Sequence, residues 1–379
     1  MASPHASVLD EVRSGRAASR ADVARVLAVS ASTASARVDA LVRRGLLVEH
    51  SESGARVGRR PRRLSLRPGL GTVAAVELGP VRARTVLADL TGEVLCVGDV
   101  PVPLTRGPEE VLGAVAEALR AQAPDDRPPL HAVCVGVPGP VGPALDHVVA
   151  PARMPGWNGV DVAALGQRLF GVPTMVENDA NLIAVGQHQH RPGGGQRVVV
   201  TVDAGIGCGV LVDGRLFRGA SGMAGDISHT TVADAPEIPC SCGRTACLDV
   251  VASGSALLDS LTAAGVAAEG MDDLIRMVHD GQPLATGLVR EAGERIGAVL
   301  STVISFFNPD ELVLAGPVSS LPTFMAALRS TVYASCLPAT TASLTITRAD
   351  DEGEATLAGA VRVAADKAFA EGPLAARIG

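Results

Sequence analysis

His229, Cys240, Cys242 and Cys247 offer one imidazole and three thiols within a short stretch of chain. That is the ligand set of a closed tetrahedral structural zinc site. Gly243 lets the backbone turn between the second and third thiols. The segment between His229 and Cys240 carries Pro236 and Pro239 with little apolar content, so it is expected to be poorly ordered unless an ion pins it. The alternative is a set of unrelated buried cysteines, but Cys-x-Cys inside a Gly-containing loop is an unusual core pattern. Cys96, Cys134, Cys208 and Cys336 each stand alone in apolar or strand contexts and are expected to be inert core side chains. Seven cysteines, an odd number without an export signal, speak against a disulfide framework.

A second chemistry lies near the N-terminus. The whole chain of 379 residues carries a net charge of −7, yet residues 1–69 hold 13 Arg against 6 acids. A basic head on an acidic body points to a polyanion-binding module joined to something else. All the head's cations are guanidinium groups, which fork onto phosphates and base edges. Arg59 and Arg60 lie between Gly58 and Pro61, a shape suited to a narrow A·T-rich minor groove. A solvated run in an ordinary linker is the bland alternative, and the elements around it decide against that.

Those elements read as three short helices and a wing. Ser7–Ser14 has Val8, Leu9 and Val12 on one face and stops at Gly15; Ser19 and Asp22 form a capping-box-like start for a helix to Leu27; a third helix runs from about Ala31 to Arg44 and ends at Gly45, before a strand at Leu46, Leu47 and Val48. In a helix-turn-helix the second helix of the motif enters the major groove. Its candidate contacts are Ser30, Ser32, Thr33, Ser35 and Arg37, with Arg59 and Arg60 added from the wing and linker.

From Gly71 the pattern alternates β-rich runs with helical stretches, which predicts α/β architecture with largely parallel sheets covered on both faces. No short internal repeat is visible. No stretch is apolar for long enough to cross a membrane and the first residues lack a signal-peptide core, so a soluble, cytoplasmic protein is expected.

Three segments, Val176–Asn181 (VENDAN), Gly219–His229 (GASGMAGDISH) and Cys240–Asp249 (CSCGRTACLD), resemble the signatures of the ROK family (repressor, open reading frame, kinase) of bacterial sugar kinases and sugar-responsive repressors. The head is similar to that of the repressor branch. The resemblance implies α/β architecture with an N-terminal winged helix-turn-helix followed by a two-lobed actin-like ATPase (ribonuclease H-like) domain. It places the head and basic linker at 1–70, the first lobe at 71–190 with a C-terminal helix at about 362–379 returning to it, and the second lobe with its zinc loop at 191–361.

The resemblance further implies that Asn178 and Asp179 hydrogen-bond a carbohydrate held between the lobes, with His229 seating it beside the zinc. Asp226 and Asp249 occupy positions where the family carries Glu, and Ser228 stands where it has Gly, so the pocket stays polar with two carboxylates drawn back. Arg153, ahead of Pro155, Gly156 and Trp157, replaces the family's Asn and favours a ligand with an anionic group, such as a sugar phosphate. Both nucleotide loops depart from the kinase pattern. The first reads Glu77-Leu78-Gly79-Pro80-Val81, where Pro80 removes a donor and no threonine follows; the second begins Asp203-Ala204, and a carboxylate there repels phosphate. Asp179, the family's general-base position, therefore holds ligand only. The reading is a repressor of carbohydrate genes, binding operator DNA and a sugar effector as a homodimer or homotetramer, away from membranes, with a sugar kinase carrying a DNA-binding head as the alternative.

Overall fold

The computed structural model describes residues 3–50, 62–149, 154–190, 193, 195–349 and 352–378. Three serines start the helices of the head. Ser3, Ser19 and Ser30 each accept a hydrogen bond from the backbone N–H three residues on, opening α1 (Pro4–Arg13), α2 (Arg20–Val26) and α3 (Ala31–Arg43). Each such cap is worth about 1 kcal/mol. The helices close over Val8, Leu9, Val23, Ala34, Val38 and Leu41, all buried. The wing follows as β1 (Leu47–His50) paired antiparallel with β2 (Arg63–Leu66), which buries Leu64 and Leu66. Arg63 is a strand residue opposite His50, so the arginine-rich run that includes Arg59 and Arg60 falls in sequence between the two wing strands. Arg59 and Arg60 themselves lie outside the described residues.

Arg20 ties the head together. Its Nε donates to Glu49 at 2.7 Å, its Nη1 to the Ser35 hydroxyl at 2.6 Å and its Nη2 to Asp39 at 2.7 Å. These contacts hold the Glu49 and Asp39 carboxyls below their ordinary values, chiefly through the hydrogen bonds from Arg20.

The body begins with the antiparallel meander β3 (Thr72–Leu78), β4 (Ala83–Asp89) and β5 (Val94–Val100), continues through α4 (Pro108–Gln122), β6 (Leu130–Val137), α5 (Val162–Phe170) and β7 (Thr174–Asn178), and forms a sheet in the order β5-β4-β3-β6-β7. After α6 (Asp179–His190) come β8 (Gln196–Val202), β9 (Ile206–Val212) and β10 (Arg215–Leu216), a second antiparallel meander. Then follow α7 (Leu248–Ala252), α8 (Gly254–Ala263), α9 (Met271–His279), α10 (Pro283–Phe307), β11 (Glu311–Ala315), α11 (Pro322–Ser335), α12 (Pro338–Thr341), β12 (Thr345–Arg348), α13 (Glu352–Ala370) and α14 (Gly372–Ile378). The second sheet has the order β10-β9-β8-β11-β12, the same pattern as the first.

The expectation of largely parallel sheets is thus corrected. β3 with β6, and β8 with β11 and β12 with β11, run parallel, but each sheet is half meander because turns too short for a crossover join its first three strands. In the second sheet, Val198, Val200 and Val202 face Leu300, Ile304 and Phe324 of α10 and α11, while Val199 faces the opposite layer with Ala184 of α6. A strand buried on both faces needs the unbroken apolar run Val198–Val200.

The described chain forms two compact units, 1–136 with 160–176 and 360–379, and 137–159 with 177–359. The head therefore groups with the first sheet, α6 groups with the second sheet rather than ending the first lobe at 190, and the expected single C-terminal helix is two helices, α13 and α14. Cys96 also departs from expectation: it lies on the partly exposed edge strand β5, whereas Cys134, Cys208 and Cys336 are buried. Among the described residues no helix is long and apolar enough to cross a membrane.

Candidate functional site

All described candidates for ligand and metal fall in the second unit, and β9 organises them. At its start, Gly207 lies so close to α6 that a methyl group there would meet the Ala180 side chain at 2.7 Å. One residue further, the carbonyl of Cys208 lies where a side chain on Gly225 would have to go, so the turn carrying Asp226 can pack onto the strand only with glycine at 225, which also holds φ at +92°. One residue earlier, the Ile206 N–H donates to the Asp249 carboxylate at 3.0 Å. Thus α6, the Asp226 turn and α7 all converge on three successive residues of one strand.

Asn178 and Asp179 stand at the start of α6, both half-buried. The Asn178 side-chain amide donates to the Gly139 carbonyl at 3.0 Å, while its carbonyl oxygen accepts from the Asn181 N–H at 3.2 Å. Asp179 accepts from the Ala180 N–H at 2.8 Å, a position where the helix N-terminus favours its charge. Beneath them is a residue the sequence reading did not assign. Glu177, 1% exposed, accepts from the Asn178 N–H at 3.0 Å and from the Asn181 amide at 2.9 Å with one oxygen, and from Arg218 Nε and Nη2 at 2.8 and 2.7 Å with the other. Arg218 thereby fixes the turn that presents Asn178 and Asp179. Arg218→Met should leave a buried carboxylate unpaired and destabilise the protein by about 3 kcal/mol, and a urea titration showing no change in midpoint would contradict this; Arg218→Lys should recover part of the loss.

On the other side, Asp226 is exposed and accepts from the Ser228 hydroxyl at 2.8 Å. Ser228, Thr230 and Thr231 pair with Asp249, Leu248 and Cys247, since the Asp249 N–H donates to Ser228 O at 2.9 Å and Leu248 N–H to Thr230 O at 2.9 Å, with a bridge between Thr231 and Cys247. The structure therefore brings Asp226, His229 and Asp249 together. Arg153 lies outside the described residues.

The metal candidates meet as the spacing predicted. One donor atom each from His229, Cys240, Cys242 and Cys247 lies within 4.8 Å of all the others. Cys242 and Cys247 sulfurs are 3.5 Å apart, and Cys240 sulfur is 3.4 Å from His229 Nδ1. A tetrahedral zinc with bonds of about 2.3 Å to sulfur and 2.0–2.1 Å to nitrogen spaces such pairs by about 3.8 and 3.6 Å, so the cluster fits a cation after a small expansion. The Arg244 backbone N–H, then its side chain, stabilise the Cys242 thiolate and bring it down to about 6. Burial instead pushes the Cys247 thiol up to about 12. A bound cation would reverse the second effect, because a coordinating thiol is deprotonated. The loop also carries backbone bonds of its own: Val232 N–H donates to Ala246 O at 2.9 Å, Ala246 N–H to Ile238 O at 3.0 Å and Cys240 N–H to Arg244 O at 2.8 Å, which make it a hairpin.

In each nucleotide loop one backbone N–H is engaged within the fold. In the first unit the Gly79 N–H is spent on Arg82 O at 2.9 Å, closing the β3–β4 turn, and Glu77 is paired with Arg84 at 3.3 Å. In the second unit the Ile206 N–H is taken by Asp249, and Asp203 O accepts from Gly254 N–H at 2.7 Å.

In the head, Ser30 and Ser32 are exposed at the start of α3, and the Ser30 hydroxyl lies 2.9 Å from that of Ser32 and 2.8 Å from that of Thr33. Ser35 is engaged by Arg20, and Arg37 is half-buried one turn further along.

Three short helices and a two-stranded hairpin, followed by an actin-like α/β domain of two like-patterned sheets, make up the class that this fold defines. Residues 73–367 match the ROK family, and the chain belongs to it. It is 26% identical over 330 residues to a xylose repressor of Caldicellulosiruptor bescii, covering 82% of each chain. It is 27% identical over 329 residues to the DNA-binding transcriptional dual regulator NagC of Escherichia coli, covering 82% of this chain and 79% of that one. The crystal structure of a ROK family transcriptional regulator, a homologue of the E. coli MLC protein, superposes with a TM-score of 0.79 at 22% identity over 99% of both chains, which extends the shared fold to the head. A ROK hexokinase from Thermus thermophilus, at 29% identity and a TM-score of 0.65, covers 77% of this chain and 97% of its own.

Proposed function

We propose that this protein is a DNA-binding transcriptional regulator of carbohydrate genes, controlled by a sugar or sugar derivative at Asn178, Asp179, Asp226, His229 and Asp249, and without kinase activity. The observation that carries this reading is the fate of the phosphate-loop donors: the N–H groups of Gly79 and Ile206 are consumed by Arg82 and Asp249. Phosphoryl transfer depends on such donors facing the nucleotide. Asp179 alone favours the kinase reading, and a base without a bound phosphoryl donor does no chemistry.

Zinc at His229, Cys240, Cys242 and Cys247 is structural in this account. His229 Nδ1, which faces the Cys240 sulfur at 3.4 Å, would be its ligand atom, leaving Nε2 for a ligand hydroxyl. Cys247 stands at the N-cap position of α7, whose Asp249 holds Ile206, so an ion bound there would secure that side of the site. Operator DNA is met by α3 and by Arg59 and Arg60, and a homo-oligomer places two heads on half-sites. The test is a thermal-shift screen of the zinc-loaded protein against D-xylose, N-acetylglucosamine and their phosphates, with MgATP turnover followed in parallel. A ligand-dependent shift without turnover is expected; turnover abolished by Asp179→Asn would overturn the reading.

A further inference from the structure

α13 is one continuous helix that begins in the second unit and ends in the first. Its first half lies against α6, the helix that Asp179 opens. The seam is tight enough that a side chain on Gly186 would fall on the Ala355 carbonyl, and one on Gly359 on the Leu182 carbonyl. Here backbone meets backbone, and the two helices cannot slide independently.

The second half of α13 grips the head. Arg362 Nη2 pairs with Asp10 at 3.3 Å and its Nη1 donates to Arg13 O at 3.3 Å, at the end of α1. Arg13, only 7% exposed, pairs with Asp366 at 2.7 Å and lies 4.3 Å above the Phe369 ring. α14 then reaches the end of α3. Arg377 Nη2 donates to the carbonyls of Arg44 and Gly45 at 2.8 and 3.3 Å, and the Arg44 guanidinium donates to Ile378 O. The last carbonyls of a helix have no partner within it, so α14 supplies the cap of the groove-reading helix from the far end of the sequence.

We propose that α13, with α14, is the coupling element of the protein: it clamps α6 at Gly186 and Gly359 and the head at Asp10, Arg13, Arg44 and Gly45, so that a change at Asn178–Asp179 alters how α1 and α3 are held. This inference rests on the regulator reading above. A helix is stiff over such a length, whereas ion pairs and carbonyl caps at its end break or form as units, the kind of discrete contact through which two sites bias one element.

The test uses the full-length zinc-loaded protein without sugar or DNA, and reads amide hydrogen exchange in Asp366→Asn, which removes a charge at constant size. Exchange in α1 should rise, and exchange in α6 around 182–189 should change by about 2- to 30-fold, with α10 and α11 unaltered as the control. Faster exchange in α1 with α6 unchanged would overturn the proposal. Gly359→Ala perturbs the seam from the other end and should alter α1 by a comparable factor. A gel shift on a duplex selected by the full chain from a randomised pool gives the functional arm: Gly359→Ala should move the midpoint at least about 3-fold, and an unmoved midpoint would refute coupling to DNA. Failure to select any duplex would count against the regulator reading, and the exchange data would still decide the coupling.

Discussion

Cys247→Ser should empty the metal site and lower the thermal midpoint of the protein on the order of 5–10 °C. Cys247 is fully buried, its sulfur lies 3.5 Å from that of Cys242, and it is the N-cap of α7. Structural zinc contributes about 10–16 kcal/mol in small peptides that fold around it. A smaller share is expected here, because the hairpin from Val232 to Ala246 also carries backbone bonds of its own. What is lost is the tether between the hairpin and α7, and with it the register of Asp249 on Ile206. Metal analysis of the wild type should find one zinc per chain and the variant close to none. A variant that keeps its zinc, or loses it with an unchanged midpoint, would remove zinc from the account.

Arg59→Ala combined with Arg60→Ala should weaken binding to a selected duplex on the order of 10- to 100-fold and flatten the dependence on salt by about two counterions. The ground for this is physical rather than positional. The described part of α3 offers the groove mainly short hydroxyls, Ser30, Ser32 and Thr33, and Ser35 is held by Arg20. Hydroxyls of this kind can position a helix on DNA but neutralise no phosphate. Arg37 is the one charged group among the α3 candidates, so on the proposed reading most of the charge comes from the arginines that follow β1 in sequence, and two guanidinium groups in a narrow minor groove would supply it. Gel-shift titrations at several salt concentrations measure both quantities, and parallel salt plots for wild type and variant would exclude the minor-groove role.

Much of the site was legible because its chemistry is local. The Ser19 cap and the Cys-x-Cys loop are each written within a few residues, and the cap bond and the His/Cys cluster form there. What escaped was written at a distance. Glu177 and Arg218 are 41 residues apart, and nothing in either segment announces the other. Asp249 looked like a ligand carboxylate, yet it also serves a backbone N–H 43 residues away. β2 was hidden because Arg63 continues a charged run, although Leu64 and Leu66 alternate toward the core. The matched strand orders of the two sheets left no trace as a sequence repeat, since a topology constrains burial and turn length but not residue identity. The short turns at Pro80–Arg82 and Thr91–Gly92 did signal hairpins, and reading them would have predicted the meanders in place of parallel strands.

The central claim is that sugar occupancy is passed to DNA without ATP. Its most direct measurement is operator occupancy of the zinc-loaded protein, titrated with D-xylose, N-acetylglucosamine and their phosphates in a mixture free of nucleotide. The account predicts that at least one of these shifts the DNA-binding midpoint under those conditions. A midpoint that moves only when MgATP is added, or only after a phosphorylated sugar has been produced, would contradict it.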